Sequence, residues 1–247
     1  MRRALHDNGL SLVLGALFLL SIGGQLLTGE RSYNAEQRAH GEPTLSLGAY
    51  VRTGHFVESV FENWESEFLQ MGLLVVLTAT LRQRGAPDSK KLHRGEPVDA
   101  DPRRARRAPG APWPVRRGGW VLAVYEHSLS IALLLLFLLS FALHAYGGAR
   151  ECTAEQLAHG EAGTTMLGYL GTARFWFESF QNWQSEFFSV AMLTLLSIVL
   201  RQRGSPQSKP VASPHGLTGE PDHAPESPPR RSGARSSRRG RGRRAAS

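Results

Sequence analysis

The chain matches itself when it is shifted by 119 residues, and this internal repeat constrains its fold more than any other feature. From residue 5 to residue 90 the match has no gap, and about 36 of the roughly 86 aligned positions are identical. Both copies contain the segments FLLS, AEQ, HGE, NWxSEF and LRQRG. Chance does not give this identity at one constant offset. The sequence therefore predicts two copies of one structural unit.

Each copy contains two apolar segments. Residues 10–27 and 129–146 are long enough, at about 1.5 Å per residue, to cross roughly 30 Å of hydrocarbon. The second apolar segment of each copy is shorter, but the aromatic-rich sequence before it extends the spans to about 60–81 and 179–200. The first segment also fits a signal peptide, but its recurrence in mid-chain argues against that interpretation. The predicted fold is an all-α integral membrane protein with four transmembrane helices.

The basic residues predict the orientation of these helices. The N-terminus, residues 82–118 and the chain after residue 200 hold 24 of the 29 Lys and Arg residues (2, 11 and 11). The positive-inside rule places these three regions in the cytoplasm and both HGE loops outside. Each copy crosses the membrane an even number of times, so the two copies form a parallel repeat. We expect a pseudo-two-fold axis along the membrane normal to relate them.

The same patterns divide the chain into four regions. They are a first two-helix repeat (1–90), a basic cytoplasmic linker (91–118), a second two-helix repeat (119–209) and a basic cytoplasmic tail (210–247). The Arg-, Gly- and Ser-rich composition of the tail predicts disorder. A solvated tail explains this composition, and the alternative is adhesion to anionic lipid headgroups or RNA. The net charge of +8 follows from the topology and needs no nucleic-acid partner.

Polar residues recur at equivalent positions of both copies. At 100° per residue they form one stripe on each predicted span. The members are Asn63 and Glu67 on the second span, Asn182 and Glu186 on the fourth, Gln25 on the first and His144 on the third. Counting from the cytoplasmic ends puts Glu67 level with Gln25, and Glu186 level with His144. We therefore expect these two pairs to form hydrogen bonds.

Two interpretations of the stripe remain open. Polar side chains of this kind hold transmembrane helices together, which is the simpler role. Alternatively, an ionisable residue inside a span marks a proton or cation site. In the second case Glu67, Glu186 and His144 would line a hydrated path.

The loops and span ends supply further candidates. The HGE loops contribute two histidines and two carboxylates (His40, Glu42, His159 and Glu161), which would suit zinc if the copies met. The alternative is that the two histidines only cap the helices of the AEQ segments. Trp64 and Trp183 are typical of an outer aromatic belt, and four arginines would anchor the inner helix ends (Arg82, Arg84, Arg201 and Arg203).

The NWxSEF and LRQRG segments, with the Pro-x-Ser-Lys sequence at Pro206 to Lys209, resemble those of an uncharacterised family of bacterial multi-pass membrane proteins. This resemblance covers residues 5–210 and implies the bacterial cytoplasmic membrane, but no activity, substrate or cofactor. The sequence has no nucleotide-binding loop, nucleophile elbow or thiolate metal motif, so we expect no enzyme and no cofactor. The favoured function is a non-enzymatic structural or interaction protein, for which a homo-oligomer is one option. The alternative is a small oligomeric transporter or channel for protons or cations.

Overall fold

A computed structural model describes residues 7–93 and 95–219, and this part of the chain contains helices and no strand. The four long helices are α1 (Gly9–Ala39), α3 (Gly54–Thr80), α6 (Ser128–Ala158) and α8 (Ala173–Val199). The four short helices are α2 (Leu47–Tyr50), α4 (Trp113–Arg117), α5 (Gly119–Glu126) and α7 (Met166–Leu170). Two 3-10 turns, Pro97–Asp99 and Pro102–Ala105, lie in the linker.

The long helices have matching lengths in the two halves of the chain. Helices α1 and α6 have 31 residues each, and α3 and α8 have 27 each. Thr53 and Thr172 are the N-caps of α3 and α8, and each side chain accepts a hydrogen bond from a backbone N–H three residues later. Helices α1 and α6 continue through the AEQ segments and end at their C-cap residues, His40 and His159.

Two of these helices are long and apolar enough, by length and composition, to cross a membrane. They are α1, with a mean hydropathy of 2.1 over its most apolar window, and α6, with 2.2. None of that window of α1 is buried inside the protein, so its leucines face outward. In water this apolar surface would be costly, whereas in lipid it is not.

Helices α3 and α6 approach each other closely through glycines. A Cβ atom added at Gly54 would lie 2.6 Å from the carbonyl oxygen of Gly147, and one added at Gly147 would lie 2.4 Å from the backbone nitrogen of Glu58. Next to it, the ring of Tyr169 lies against Gly148, where an added Cβ would be 2.3 Å from a ring carbon. No side chain fits between these backbones, so the helix contact requires glycine.

The packing differs from the expected two-fold arrangement. Such an axis would pair α1 with α8 as closely as α3 pairs with α6. Among the described residues α3 packs along α6 and also against α8, while α1 and α8 have no comparable contact. Helix α1 touches α3 through side chains, for example with Phe18 against Trp64 at 6.0 Å between ring centroids. The second half of the chain therefore covers one side of the first.

Lys209 joins the ends of the two halves that follow α3 and α8. Its side chain is 2% exposed, and its ammonium donates to the carbonyl oxygens of Gly85 and His215, both at 2.6 Å, and of Leu217 at 3.1 Å. The backbone N–H of Gly85 donates to the hydroxyl of Thr218 at 2.8 Å. Residues 210–219, which we expected to be disordered, thus pack on the end of the first half. The rest of the predicted tail, 220–247, lies outside the described residues.

The glycine contact gives a stability prediction. Gly147→Ala should lower the free energy of unfolding by about 1–3 kcal/mol, because the new methyl group meets the backbone of α3. The matched control is Gly23→Ala on α1, where a Cβ would meet nothing within 4 Å. That change should be neutral or slightly stabilising, by up to about 1 kcal/mol. Thermal unfolding of both variants in detergent micelles measures the difference, and equal midpoints would contradict the proposed contact.

Candidate functional site

The close approach of α3 and α6 buries a polar cluster centred on His144. The imidazole is fully buried, and its Nδ1 lies 2.7 Å from Oε2 of Glu65, which is also fully buried. The indole N–H of Trp183 donates to the other oxygen of Glu65 at 3.0 Å. A carboxylate accepts and does not donate, so Nδ1 of His144 carries the proton. Helices α3, α6 and α8 meet at this one carboxylate.

A phenol joins two further carboxylates to the cluster. The hydroxyl of Tyr169, on α7, lies 2.6 Å from Oε2 of Glu178 and 2.9 Å from Oε1 of Glu58. Burial raises the pKa of this phenol well above its ordinary value, and the hydrogen bond to Glu178 and the charge of Glu58 raise it further. The phenol therefore keeps its proton. Because it has only one, it can donate to only one of the two carboxylates at a time.

Arg174 lies on the exposed side of the cluster. Its Nε donates to Oε1 of Glu178 at 3.0 Å, and its terminal nitrogen donates to Glu155 at 2.7 Å. A second terminal nitrogen lies 3.9 Å from Glu58. These contacts raise the pKa of the guanidinium against the effect of burial. One arginine thus faces three carboxylates, and the cluster has an excess of negative charge.

The structure places the predicted polar residues differently from the expected pairs. Gln25 donates to the carbonyl and hydroxyl oxygens of Ser59, both at 3.4 Å, instead of to Glu67. His144 pairs with Glu65 instead of Glu186. The position equivalent to Ser59 in the second copy is Glu178, which faces His144 at 3.5 Å. The contact between the two helices of each unit therefore lies about two turns closer to the outer loop than predicted.

The six residues of the predicted stripes differ in their exposure. Asn63 and Glu67 are exposed, whereas Glu186 is half-exposed and within electrostatic range of Glu67. Asn182 and Gln25 are half-buried, and the side-chain amide of Asn182 donates to Glu62 on α3. Of the six, only His144 is fully buried.

The loop and anchor residues also have defined positions. His40, Glu42, His159 and Glu161 are all exposed, and among the described residues they do not assemble into a group of three metal ligands. Both histidines are C-cap residues, and Nδ1 of His40 lies 3.0 Å from the carbonyl oxygen of Glu36, as the capping alternative requires.

The tryptophans lie about three turns inside α3 and α8, whereas the basic anchors follow the C-terminal ends of these helices. Trp64 packs on Phe61, with 5.2 Å between ring centroids, and Trp183 packs on Phe180 at 5.4 Å. Arg201 donates to carbonyl oxygens in the last turn of α8, and Arg82 donates to a linker carbonyl. Arg84 and Arg203 are exposed.

Sequence reasoning missed Glu58, Glu65 and Glu178 because it followed positions that are alike in both copies, and these three differ between the copies. It also missed Tyr169, whose counterpart is Tyr50, because Tyr169 lies outside the predicted spans and the HGE segments. Glu58, Glu62 and Glu65 form an acidic line along α3, and α8 has Phe177, Gln181 and Gln184 at the equivalent positions. The sequence signal that could have found these carboxylates is the acidic line itself. Because it occurs in one copy only, it indicates that α3 contacts a different surface from α8.

Comparison with known proteins gives a family without a function. A family model described as Domain of unknown function (DUF6766) matches residues 1–220. The resemblance to an uncharacterised family is thereby confirmed. No curated protein and no solved structure matches the chain.

The buried carboxylate at the centre of the cluster gives a second stability prediction. Glu65→Leu should cost about 3–5 kcal/mol, because it leaves His144 and Trp183 buried without their acceptor. The matched control is Glu67→Leu, two residues further along α3, where the carboxylate is exposed. Thermal unfolding in detergent should show a large loss for the first variant and little change for the second. Similar losses would mean that Glu65 is not the acceptor of both donors.

Proposed function

The chain belongs to the DUF6766 family, and from its geometry we propose that it is a non-enzymatic, multi-pass membrane protein that functions by assembling with a second copy of itself. The observation behind this proposal is that α3 packs along α6, whereas the equivalent helices, α8 and α1, make no comparable contact among the described residues. The proposal has two parts, the membrane setting and the assembly.

Four membrane spans account for the helices and the charge distribution. Helices α1 and α6 are apolar enough to span, and α3 and α8 run back from the outer loops to the arginines at their ends. Because the N-terminus, linker and tail hold 24 of the 29 basic residues, these three regions lie in the cytoplasm. The resemblance to bacterial proteins supports the bacterial cytoplasmic membrane as the location.

The interface inside the chain indicates what the partner is. In the first copy α3 presents Glu65 to His144 on α6 of the second copy. At the equivalent positions α8 presents Gln184, and α1 presents Gln25. Gln184 is exposed, and Gln25, which contacts Ser59 on α3, is half-buried, so both amides remain partly accessible in the described structure.

Amides that face lipid are unfavourable, because hydrocarbon offers no hydrogen-bond partner. A second copy of the chain would place its Gln25 against Gln184, and its Asn63 against Gln181, by the same packing that joins the two halves. The Glu65–His144 pair inside the chain would thus have neutral amide pairs as its counterparts between chains. Interhelical hydrogen bonds of this kind contribute on the order of 0.6 kcal/mol each.

The proposed contacts are also compatible with a closed dimer. If α8 of one chain packs on α1 of the next, the reciprocal contact forms in a two-fold dimer, and four two-helix units make a ring. Every α1 and α8 face is then used once. Lipid and the second copy are the partners of this proposal, and the Arg-rich tail adds affinity for anionic headgroups.

The membrane setting is tested by cysteine labelling in a Cys152→Ser background. Glu42→Cys and Glu161→Cys, one in each HGE loop, should react with a membrane-impermeant maleimide in spheroplasts, whose cell wall is removed and whose cytoplasmic membrane is intact. Arg104→Cys, an exposed linker position, should react only after the membrane is opened. Labelling of Arg104→Cys in intact spheroplasts, or of only one HGE loop, would contradict the parallel four-span topology.

The assembly is tested by cross-linking between chains. Ala173 and Thr28 are the counterparts of Gly54 and Gly147, and both are exposed. In the Cys152→Ser background, Thr28→Cys with Ala173→Cys should give a disulfide-linked dimer on mild oxidation in membranes. The control pair keeps Ala173→Cys and replaces Leu20, on another face of α1 and about 12 Å further along it, by Cys.

A dimer band for the first pair and not for the control supports the proposal. Equal cross-linking in both pairs indicates random collision and contradicts it. So does a chain that remains monomeric at every protein-to-lipid ratio.

A further inference from the structure

One nitrogen of the buried histidine has no hydrogen-bond partner among the described residues. Nδ1 of His144 is committed to Glu65, while Nε2 is buried and makes no hydrogen bond. Buried polar atoms in folded proteins nearly always have a partner. In the neutral imidazole with its proton on Nδ1, Nε2 presents a lone pair, which is the form in which imidazole binds metal ions.

Two carboxylates face this lone pair. Glu58 and Glu178 each offer an oxygen that lies, with a nitrogen of His144, within 4.8 Å of the other ligand atoms. The distance from Nε2 to Oε2 of Glu178 is 3.5 Å. Two ligands that each lie about 2.1 Å from a tetrahedral metal ion are roughly 3.4 Å apart. The separation between imidazole and carboxylate therefore already suits a shared metal ion.

The charge of the cluster favours a cation at this point. Tyr169 has one proton for two carboxylates, and the guanidinium of Arg174 is closer to Glu178 than to Glu58, at 3.0 Å against 3.9 Å. Glu58 is 7% exposed. A buried carboxylate needs a counter-charge or a proton, and a divalent ion between Glu58 and Glu178 would supply the former.

Glu65 has the position of a supporting residue for such a site. A histidine that binds metal usually donates its other N–H to a carboxylate, which fixes the ring and makes the ligating nitrogen more basic. The hydrogen bond from Nδ1 to Glu65 has this form, and Trp183 in turn holds Glu65 in place. The site thus has both its ligands and the residues that orient them.

We propose that Glu58, His144 and Glu178 bind one divalent transition-metal ion per chain, with Glu65 as the residue that positions the histidine. One imidazole and two carboxylates suit Zn²⁺, Mn²⁺ or Fe²⁺, whereas a thiolate-free set does not suit Cu⁺. The inference goes beyond the assembly proposed above and does not depend on it. The counterparts of His144, Glu178 and Glu58 at the offset of 119 residues are Gln25, Ser59 and Phe177, so the equivalent positions provide no second site.

Zinc titration of the full-length protein in detergent micelles, after treatment with a chelator, tests the site. Competition with a fluorescent zinc chelator should give one bound Zn²⁺ per chain. His144→Gln and Glu178→Gln should weaken binding by more than about 100-fold, and Glu65→Gln by roughly 10- to 100-fold. Glutamine at position 144 is the residue of the equivalent position 25, so this variant is the mildest available.

The matched controls are His159→Gln in the loop and Glu186→Gln on α8, which should bind Zn²⁺ as the parent protein does. Loss of binding in His159→Gln would assign the metal to the HGE loops and overturn the proposal. Unchanged binding in His144→Gln, or no zinc bound by the parent protein, would overturn it equally.

X-ray absorption of the zinc-loaded parent protein gives an answer that does not rely on any variant folding. The proposed site contains one histidine, so the spectrum should show a single imidazole and an otherwise oxygen-based shell at about 2.0 Å. Two imidazoles would indicate the paired HGE loops. A sulfur ligand would indicate Cys152, and either result would contradict the assignment.

Discussion

The rest of the structure depends on the glycine contact between α3 and α6. Because no side chain separates Gly54 from Gly147, the two helix backbones come close enough for carboxylates of α3 to reach across to α6. The cluster around His144 is a consequence of this approach. In lipid, where apolar surface gives no driving force between helices, close packing and buried polar contacts together provide the specificity that a hydrophobic core provides in water.

Much of the architecture could be predicted from the sequence because it follows from local physics. An offset of 119 residues between two similar apolar patterns predicts two similar helix pairs, and the described helices have equal lengths in pairs. Span length and apolar composition are properties of single helices. Basic residues after Leu81 and Leu200 mark the same ends of those helices without any knowledge of their neighbours.

The side-chain pairs could not be predicted in the same way. The expected pairs assume that the two helices of each unit are aligned at the ends remote from the HGE segments. Instead Gln25 meets Ser59, eight residues or about 12 Å from Glu67. The expected pairs also assume symmetry between the copies. Two helix faces that contact different partners carry different residues. Glu65 and its counterpart Gln184 differ, so a search for positions that are alike in both copies does not find them.

Lys209 joins the ends of the two halves that follow α3 and α8 through three backbone carbonyls, whereas further along these helices the halves are joined around His144 and, beyond it, at Gly54 and Gly147. If the halves separated while Lys209 kept its contacts, the movement would be a rotation about that end. Displacement grows with distance from a rotation axis, so the glycine contact would move further than the carboxylates around His144. The closest backbone approach thus lies where a rotation would have its largest effect.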